Sequence, residues 1–201
     1  MSELSSSGLT TTMSEALFFL RRSLRHPLQI CSIFPSSPGV GEAMARAIAS
    51  RPAVGVVELG GGTGAVTRAL LDRGITSSDL SSVEIDTELC ELLYKRYPSI
   101  EVLNVPAQNL SRIWREQSRA QVGGVVSTLP LKIFDEDMVR AVVSSVFDIL
   151  KPGGRFVQFT YRFVSPIDKK IVDQMGLIAS RNKIVWQNLP PASIWIYSRA
   201  P

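Results

Sequence analysis

Two carboxylates and a run of glycines are the residues of this chain best placed to do chemistry. In VVELGGGTGAVTRALL, Val56 to Leu71, an apolar run meets Glu58 and then Gly60, Gly62 and Gly64 before a helical pattern begins. This reads as strand, glycine loop, helix. Residues without Cβ tolerate unusual dihedrals and let a ligand lie against bare backbone, and the helix that follows offers free N–H groups and the positive end of its dipole. Such a turn suits a nucleotide-type cofactor; the plain alternative is a glycine turn that serves only tight strand-to-helix packing. Gly60, Gly62 and Ala65 also satisfy the GxGxxA form of the dinucleotide fingerprint. Glu84 ends a second apolar segment, VEID, twenty residues past Gly64, where an acidic side chain can accept both hydroxyls of a ribose. Asp86, one pleat on, is better explained as the N-cap of the next helix. A single histidine, His26, and two scattered cysteines, Cys31 and Cys90, leave no metal-ligand cluster and no disulfide framework.

These residues need a scaffold, and 201 residues at 45% hydrophobic content suit one domain with a sizeable core. A net charge of +4 suits a phosphate-bearing partner, nucleic acid or anionic bilayer, without choosing between them. No apolar stretch reaches transmembrane length, and the run before Arg21 and Arg22 has neither a basic region ahead of it nor a cleavage site behind it. A reducing, cytoplasmic setting is expected. Residues 1–11 read as a disordered leader, after which Thr12 and Glu15 stand at capping-box spacing. The helix starting there gathers Met13, Leu17, Leu20 and Leu24 on one face, widened by Phe18 and Phe19, with Arg21, Arg22 and Arg25 crowding its end before Pro27. It is either packed on the domain or lying in a membrane interface. Ser37 and Pro38 open a second helix to about Ser50. From residue 52 onward strands are expected at 54–59, 81–85, 100–104, 122–128, 155–161, 183–187 and 193–199. Helices are expected at 64–73, 87–97, 109–117, 136–150 and 167–179. The chain thus divides into a leader, N-terminal helices at 12–51 and an α/β domain at 52–201. The alternation predicts a mostly parallel sheet covered on both faces, with ligands at the carboxyl ends of the strands.

The string ELGGGTG, with Glu58 ending its strand, resembles the first motif of class I S-adenosylmethionine (SAM) methyltransferases, whose acidic residue faces the methionine amino end of the cofactor. That family commonly follows its third strand with an acidic residue and Ala; here the chain reads NVPAQN, with Pro106 in the acidic position. The adenine edge is then left to the backbone at Ala107 and to Gln108. The fourth strand ends in VVSTLPL, where the methyl acceptor is expected. Ribosomal RNA adenine dimethyltransferases carry NLPY or NLPF there, with a ring to stack a flipped base. This chain has Thr128, Leu129, Pro130 and Leu131, which argues against nucleic acid. Together IFPSSP, ELGGGTG, VEID, the LPL loop, LKPGGRFVQFTYR and NLPPASIWIY resemble the bacterial phospholipid N-methyltransferases, over about residues 13 to 199. Pro106 and Gly61, where many relatives carry Pro, are departures, the second expected to matter little.

The resemblance implies an α/β, Rossmann-like class I methyltransferase fold with a seven-stranded mostly parallel sheet and an N-terminal amphipathic helix. It implies transfer of methyl groups from SAM to the headgroup amine of phosphatidylethanolamine, toward phosphatidylcholine, with S-adenosylhomocysteine as product. Glu58, Gly60, Gly62, Thr63 and Gly64 would hold the cofactor from the first loop. Glu84, Ile85, Ala107, Gln108 and Ser127 would hold it from the next strands, and Ser36 from the helix cap. Leu129 and Pro130 would face the lipid, while Phe18, Phe19, Arg21, Arg22 and Arg25 would meet an anionic membrane. Tyr161 is the first candidate to orient the acceptor amine, with packing as its alternative and Gln158 and Arg162 as weaker choices. Strand alternation points Gln158 and Tyr161 to opposite faces. A monomer peripheral to the inner face of the cytoplasmic membrane is expected, with no metal and no nucleic acid. An RNA adenine methyltransferase, a nicotinamide-dependent oxidoreductase and an inactive membrane-binding module remain as alternatives at this stage.

Overall fold

The computed structural model describes residues 38–49, 55–186, 188 and 190–200. The expected leader, the Met13–Arg25 helix with Phe18, Phe19, Arg21, Arg22 and Arg25, and the capping Ser36 and Ser37 lie outside them. Helix α1 is Pro38–Ala49, opening on a proline whose fixed φ suits the first turn. Strand and helix then alternate as β1 (Val56–Leu59), α2 (Ala65–Asp72), β2 (Leu80–Glu84), α3 (Thr87–Arg96) and β3 (Glu101–Asn104). They continue as α4 (Leu110–Glu116), β4 (Val122–Ser127), α5 (Glu136–Ile149), β5 (Leu150–Thr160) and α6 (Lys169–Gln174). The pair β6 (Leu177–Val185) and β7 (Ala192–Arg199) closes the order.

The strands form a seven-stranded sheet in the order β3-β2-β1-β4-β5-β7-β6. Only β7 runs against its neighbours β5 and β6. Both faces are covered, as a parallel sheet requires. Helices α1, α2 and α3 pack on one side through Met44, Leu70 and Leu93, among others. On the other side α4, α5 and α6 pack through Trp114, Val143 and Ile171. The chain leaves β1 toward β2 and later returns to place β4 on the opposite flank of β1, so the topological switch lies between the carboxyl ends of β1 and β4.

Helix ends follow local chemistry. Asp86 accepts from the N–H groups of Glu88 and Leu89 at the start of α3, the N-cap role expected of it. Gly74 at φ 88° follows the end of α2, a left-handed conformation that glycine adopts freely. One boundary differs from expectation. The helix expected over 167–179 stops at Gln174, because Gly176 takes φ 62° and Leu177 already begins β6. Along that strand Leu177 is buried and Ile178 exposed, a period of two that a short apolar run next to a helix disguises. The Lys151–Gly154 stretch forms an irregularity within β5, between Leu150, paired with Val122, and Arg155, paired with Gly124.

Candidate active site

Glu58 lies in β1 directly beside Ser82 of β2, under the first turns of α2. Its side chain is fully buried. The Thr67 hydroxyl donates to Oε2 at 2.5 Å and the Ser82 hydroxyl donates to the same oxygen at 2.9 Å. Oε1 has no hydrogen-bond partner among the described residues. Burial pushes the carboxyl up to about 7, against the lowering effect of the two hydroxyls. A buried carboxylate oxygen with no donor is costly unless a ligand supplies one. An ammonium group is the natural complement, since its charge also returns the acid to the ionised form.

The loop after β1 is tied down by backbone bonds and by Glu84. Gly60 N–H donates to the Val83 carbonyl at 2.8 Å. Gly62 N–H donates to Glu84 Oε2 at 2.9 Å, while Glu84 Oε1 accepts from Ile85 and Asp86 at 2.8 and 3.0 Å. Asn104, at the end of β3, donates to the Glu84 and Ile85 carbonyls, both at 3.0 Å, and so fixes the turn in which Glu84 stands. The glycines divide by role. A Cβ on Gly60 would lie 2.7 Å from Thr128 Oγ1, and one on Gly64 2.4 Å from Tyr97 Cε2; at both positions the protein itself demands glycine. On Gly62 a Cβ would meet only a carbonyl at 3.9 Å, so this residue presents open backbone beside Glu84. Thr63 is exposed, with its carbonyl taken by Arg96 Nη1 at 2.6 Å.

At the end of β4, Ser127 is buried and its hydroxyl accepts from Leu129 N–H at 3.2 Å. Thr128 Oγ1 donates to the Gly60 carbonyl at 2.6 Å, joining the two loops of the switch point. Leu129 and Pro130 are half-buried, whereas Leu131 is buried in the core. Beyond β3, Pro106 precedes a single turn at Ala107–Asn109 in which Ala107 and Gln108 are half-buried. Gln158 is in register with Ser127 and fully buried. Its Nε2 donates to the Leu129 and Phe159 carbonyls, both at 2.9 Å, leaving Oε1 without a partner. Two carbonyl acceptors settle which end of this amide is nitrogen. Tyr161 just follows β5 and packs edge-on against Phe159, ring centroids 5.3 Å apart. It turns toward the α1–α3 side, while Gln158 reaches the loop after β4. The sequence reading missed Thr67, Ser82 and Asn104, and ranked Gln158 below its structural position.

Residues 56–154 match the methyltransferase domain family. Over 192 residues the chain is 31% identical to the ornithine lipid N-methyltransferase of Singulisphaera acidiphila, covering 91% of this chain and 95% of that relative. The chain belongs to the class I SAM-dependent methyltransferases. In fold it is similar to the 1,6-didemethyltoxoflavin N1-methyltransferase of Burkholderia thailandensis, solved with S-adenosylhomocysteine, at TM-score 0.67, 14% identity and coverage of 100% and 93% of the two chains. It is also similar to the glycopeptide N-methyltransferase MtfA bound to SAM, at TM-score 0.60, 16% identity and coverage of 80% and 94%.

The donor set of this methyltransferase fits SAM. Glu58 Oε1, buried and without a donor among the described residues, would accept from the methionine ammonium, and Gly62 would offer bare backbone beside the Glu84 carboxylate. The raised pKa of Glu58 has a measurable consequence. Its contribution to the stability of the cofactor-free protein is fully present below about 4.5 and is lost as pH rises through about 7. An ammonium held against Oε1 would reverse the preference. SAM binding is therefore expected to release close to one proton per site at pH 6 and to tighten as pH rises toward 7, as calorimetry in buffers of different ionisation enthalpy would record. Proton release that stays at zero across this range would contradict the pairing.

Proposed function

We propose that this methyltransferase acts on the primary amine of a membrane aminolipid, phosphatidylethanolamine above all, at the surface of the cytoplasmic membrane. The observation that carries the reading is the 31% identity, over 91% of the chain, to an ornithine lipid N-methyltransferase. Phosphatidylethanolamine and ornithine lipid share the relevant chemistry, a primary amine held at the bilayer surface. The loop after β4 agrees with such an acceptor, since Thr128 to Leu131 contains no ring on which a flipped base could stack. Among the described residues no helix is long and apolar enough to cross a membrane.

When bound, SAM supplies an electrophilic methyl: the amine nitrogen bonds to the methyl carbon as the carbon–sulfur bond breaks, the electron pair stays on sulfur, and the amine proton leaves to water. The chain's contribution is alignment. Glu58 anchors the cofactor's amino end and Glu84 its ribose, while Gln158 holds the Leu129 carbonyl and with it the acceptor loop. Tyr161 orients the amine through its hydroxyl. Tyr161→Phe is expected to lower turnover about tenfold or more with SAM affinity kept within about twofold; wild-type turnover would leave Tyr161 as a packing partner of Phe159. The reading itself is tested with labelled SAM offered to vesicles of phosphatidylethanolamine, to vesicles of ornithine lipid and to RNA. Labelled lipid is the expected product, the two vesicle arms separate the headgroups, and label in RNA alone would overturn the proposal.

A further inference from the structure

Beside the site, the carboxyl edge of the sheet carries an exposed apolar patch. Strand β5 ends at Thr160 opposite Ser193, and β6 ends at Val185 opposite Ala192. The segments leaving them therefore emerge at the same edge, on either side of β7. Phe163, Val164 and Trp186 on these segments are 50%, 59% and 66% exposed. The rings of Phe163 and Trp186 lie 5.9 Å apart, tilted by 38°, and Arg181 Nη1 donates to the Phe163 carbonyl at 3.1 Å. From Tyr161 to Ile167 and from Leu177 to Trp186 the chain carries Arg162, Arg181 and Lys183 and no acidic residue. All three cations are exposed. Strand β6 is the last of the sheet, so among the described residues no further strand covers this corner.

We propose that Phe163, Val164 and Trp186, ringed by Arg162, Arg181 and Lys183, form a docking surface that seats the carboxyl edge of this sheet on an anionic bilayer. Trp and Phe are favoured at the level of lipid headgroups, where an apolar body and a wet rim coexist. Cations without carboxylates around them complement anionic lipid and gain from its surface potential. The patch stands on the same edge as the Gly62 and Leu129 loops, so docking turns the opening of the site toward the membrane. Its purpose rests on the lipid reading above; its detection does not. The surface belongs to the described domain; the amphipathic helix expected before residue 26 lies outside the described residues.

The test uses the full chain with vesicles of phosphatidylcholine, with and without phosphatidylglycerol. Phosphatidylglycerol vesicles are expected to shift the Trp186 emission to the blue and shield it from acrylamide. Trp186→Phe should remove that shift, since Trp114 is buried with its ring N–H on the Ala120 carbonyl and Trp195, in mid-strand on β7, packs against the core. The double variant Phe163→Ser, Trp186→Ser should pellet with phosphatidylglycerol vesicles about tenfold less well than wild type, with SAM affinity and melting temperature unchanged. Lys183→Glu should lose binding to the same vesicles at low salt. Its methyl transfer to phosphatidylethanolamine dispersed in detergent should persist while transfer to vesicles falls. Pelleting of the double variant equal to wild type overturns the proposal, as does self-association of the chain through these residues without vesicle binding. If no lipid amine is methylated in any form, the proposed function fails, and the docking surface still stands or falls on pelleting.

Discussion

Glu58→Ala is expected to weaken SAM binding by about tenfold to about 150-fold, the range set by losing charge-assisted hydrogen bonds worth about 1.5 to 3 kcal/mol. Oε1 of Glu58 has no donor among the described residues while Oε2 has two, so the alanine variant also leaves the hydroxyls of Thr67 and Ser82 without their acceptor. Glu58→Gln separates charge from shape. It should bind SAM weakly, yet at pH 8 the cofactor-free protein should melt higher than wild type, because it no longer buries an ionised group whose pKa burial has pushed up to about 7. Glu84→Ala should weaken binding comparably by another route. That carboxylate accepts from Gly62, Ile85 and Asp86, so its loss frees the loop as well as the ribose contact. Affinity unchanged in both alanine variants, measured calorimetrically on folded protein, would sink the assignment of this loop to the cofactor.

Those two carboxylates were legible in the sequence because each stands at or one residue before the end of an apolar strand next to a turn, a position with few structural uses for an acid. The alternation of β1 to β5 with α2 to α5 was legible for a similar reason: each apolar run is bounded by Gly, Pro or a capping Asp. What was not legible depends on register. Ser82 matters because it lies opposite Glu58 across two strands, and a serine within LSSVE carries no mark of its partner. Thr67 is hidden in the same way, as a polar residue on the first turns of an amphipathic helix. The boundary between α6 and β6 failed because six helical residues are too few to establish a period of 3.6, and Gly176 was read as interior to a longer helix. The division of labour among the glycines was also invisible, since it follows from Tyr97 and Thr128, both distant in sequence.

Gly61 shows how such a pairing changes a prediction. From the sequence its departure from proline in related chains seemed minor, but a Cβ at this position would lie 2.2 Å from Ser82 Oγ and 2.8 Å from Leu93 Cδ1. Ser82 is fully buried, and its hydroxyl is committed to Glu58. Gly61→Ala is therefore expected to cost about 1 to 3 kcal/mol of stability, the usual range for overfilling a packed interior. At about 2 to 4 °C per kcal/mol for a chain of this size, melting falls by several degrees. SAM affinity should fall with it, because Ser82 can yield space only by leaving Glu58. Gly61→Pro should be worse, as it also removes the N–H that bonds the Val83 carbonyl at 3.3 Å. In a Ser82→Ala background the Oγ is gone and the Leu93 methyl can swing aside, so adding Gly61→Ala there should cost about 0.5 to 3 kcal/mol less than in wild type. Strict additivity of the two substitutions in a double-mutant cycle would show that Ser82 is not what keeps residue 61 a glycine.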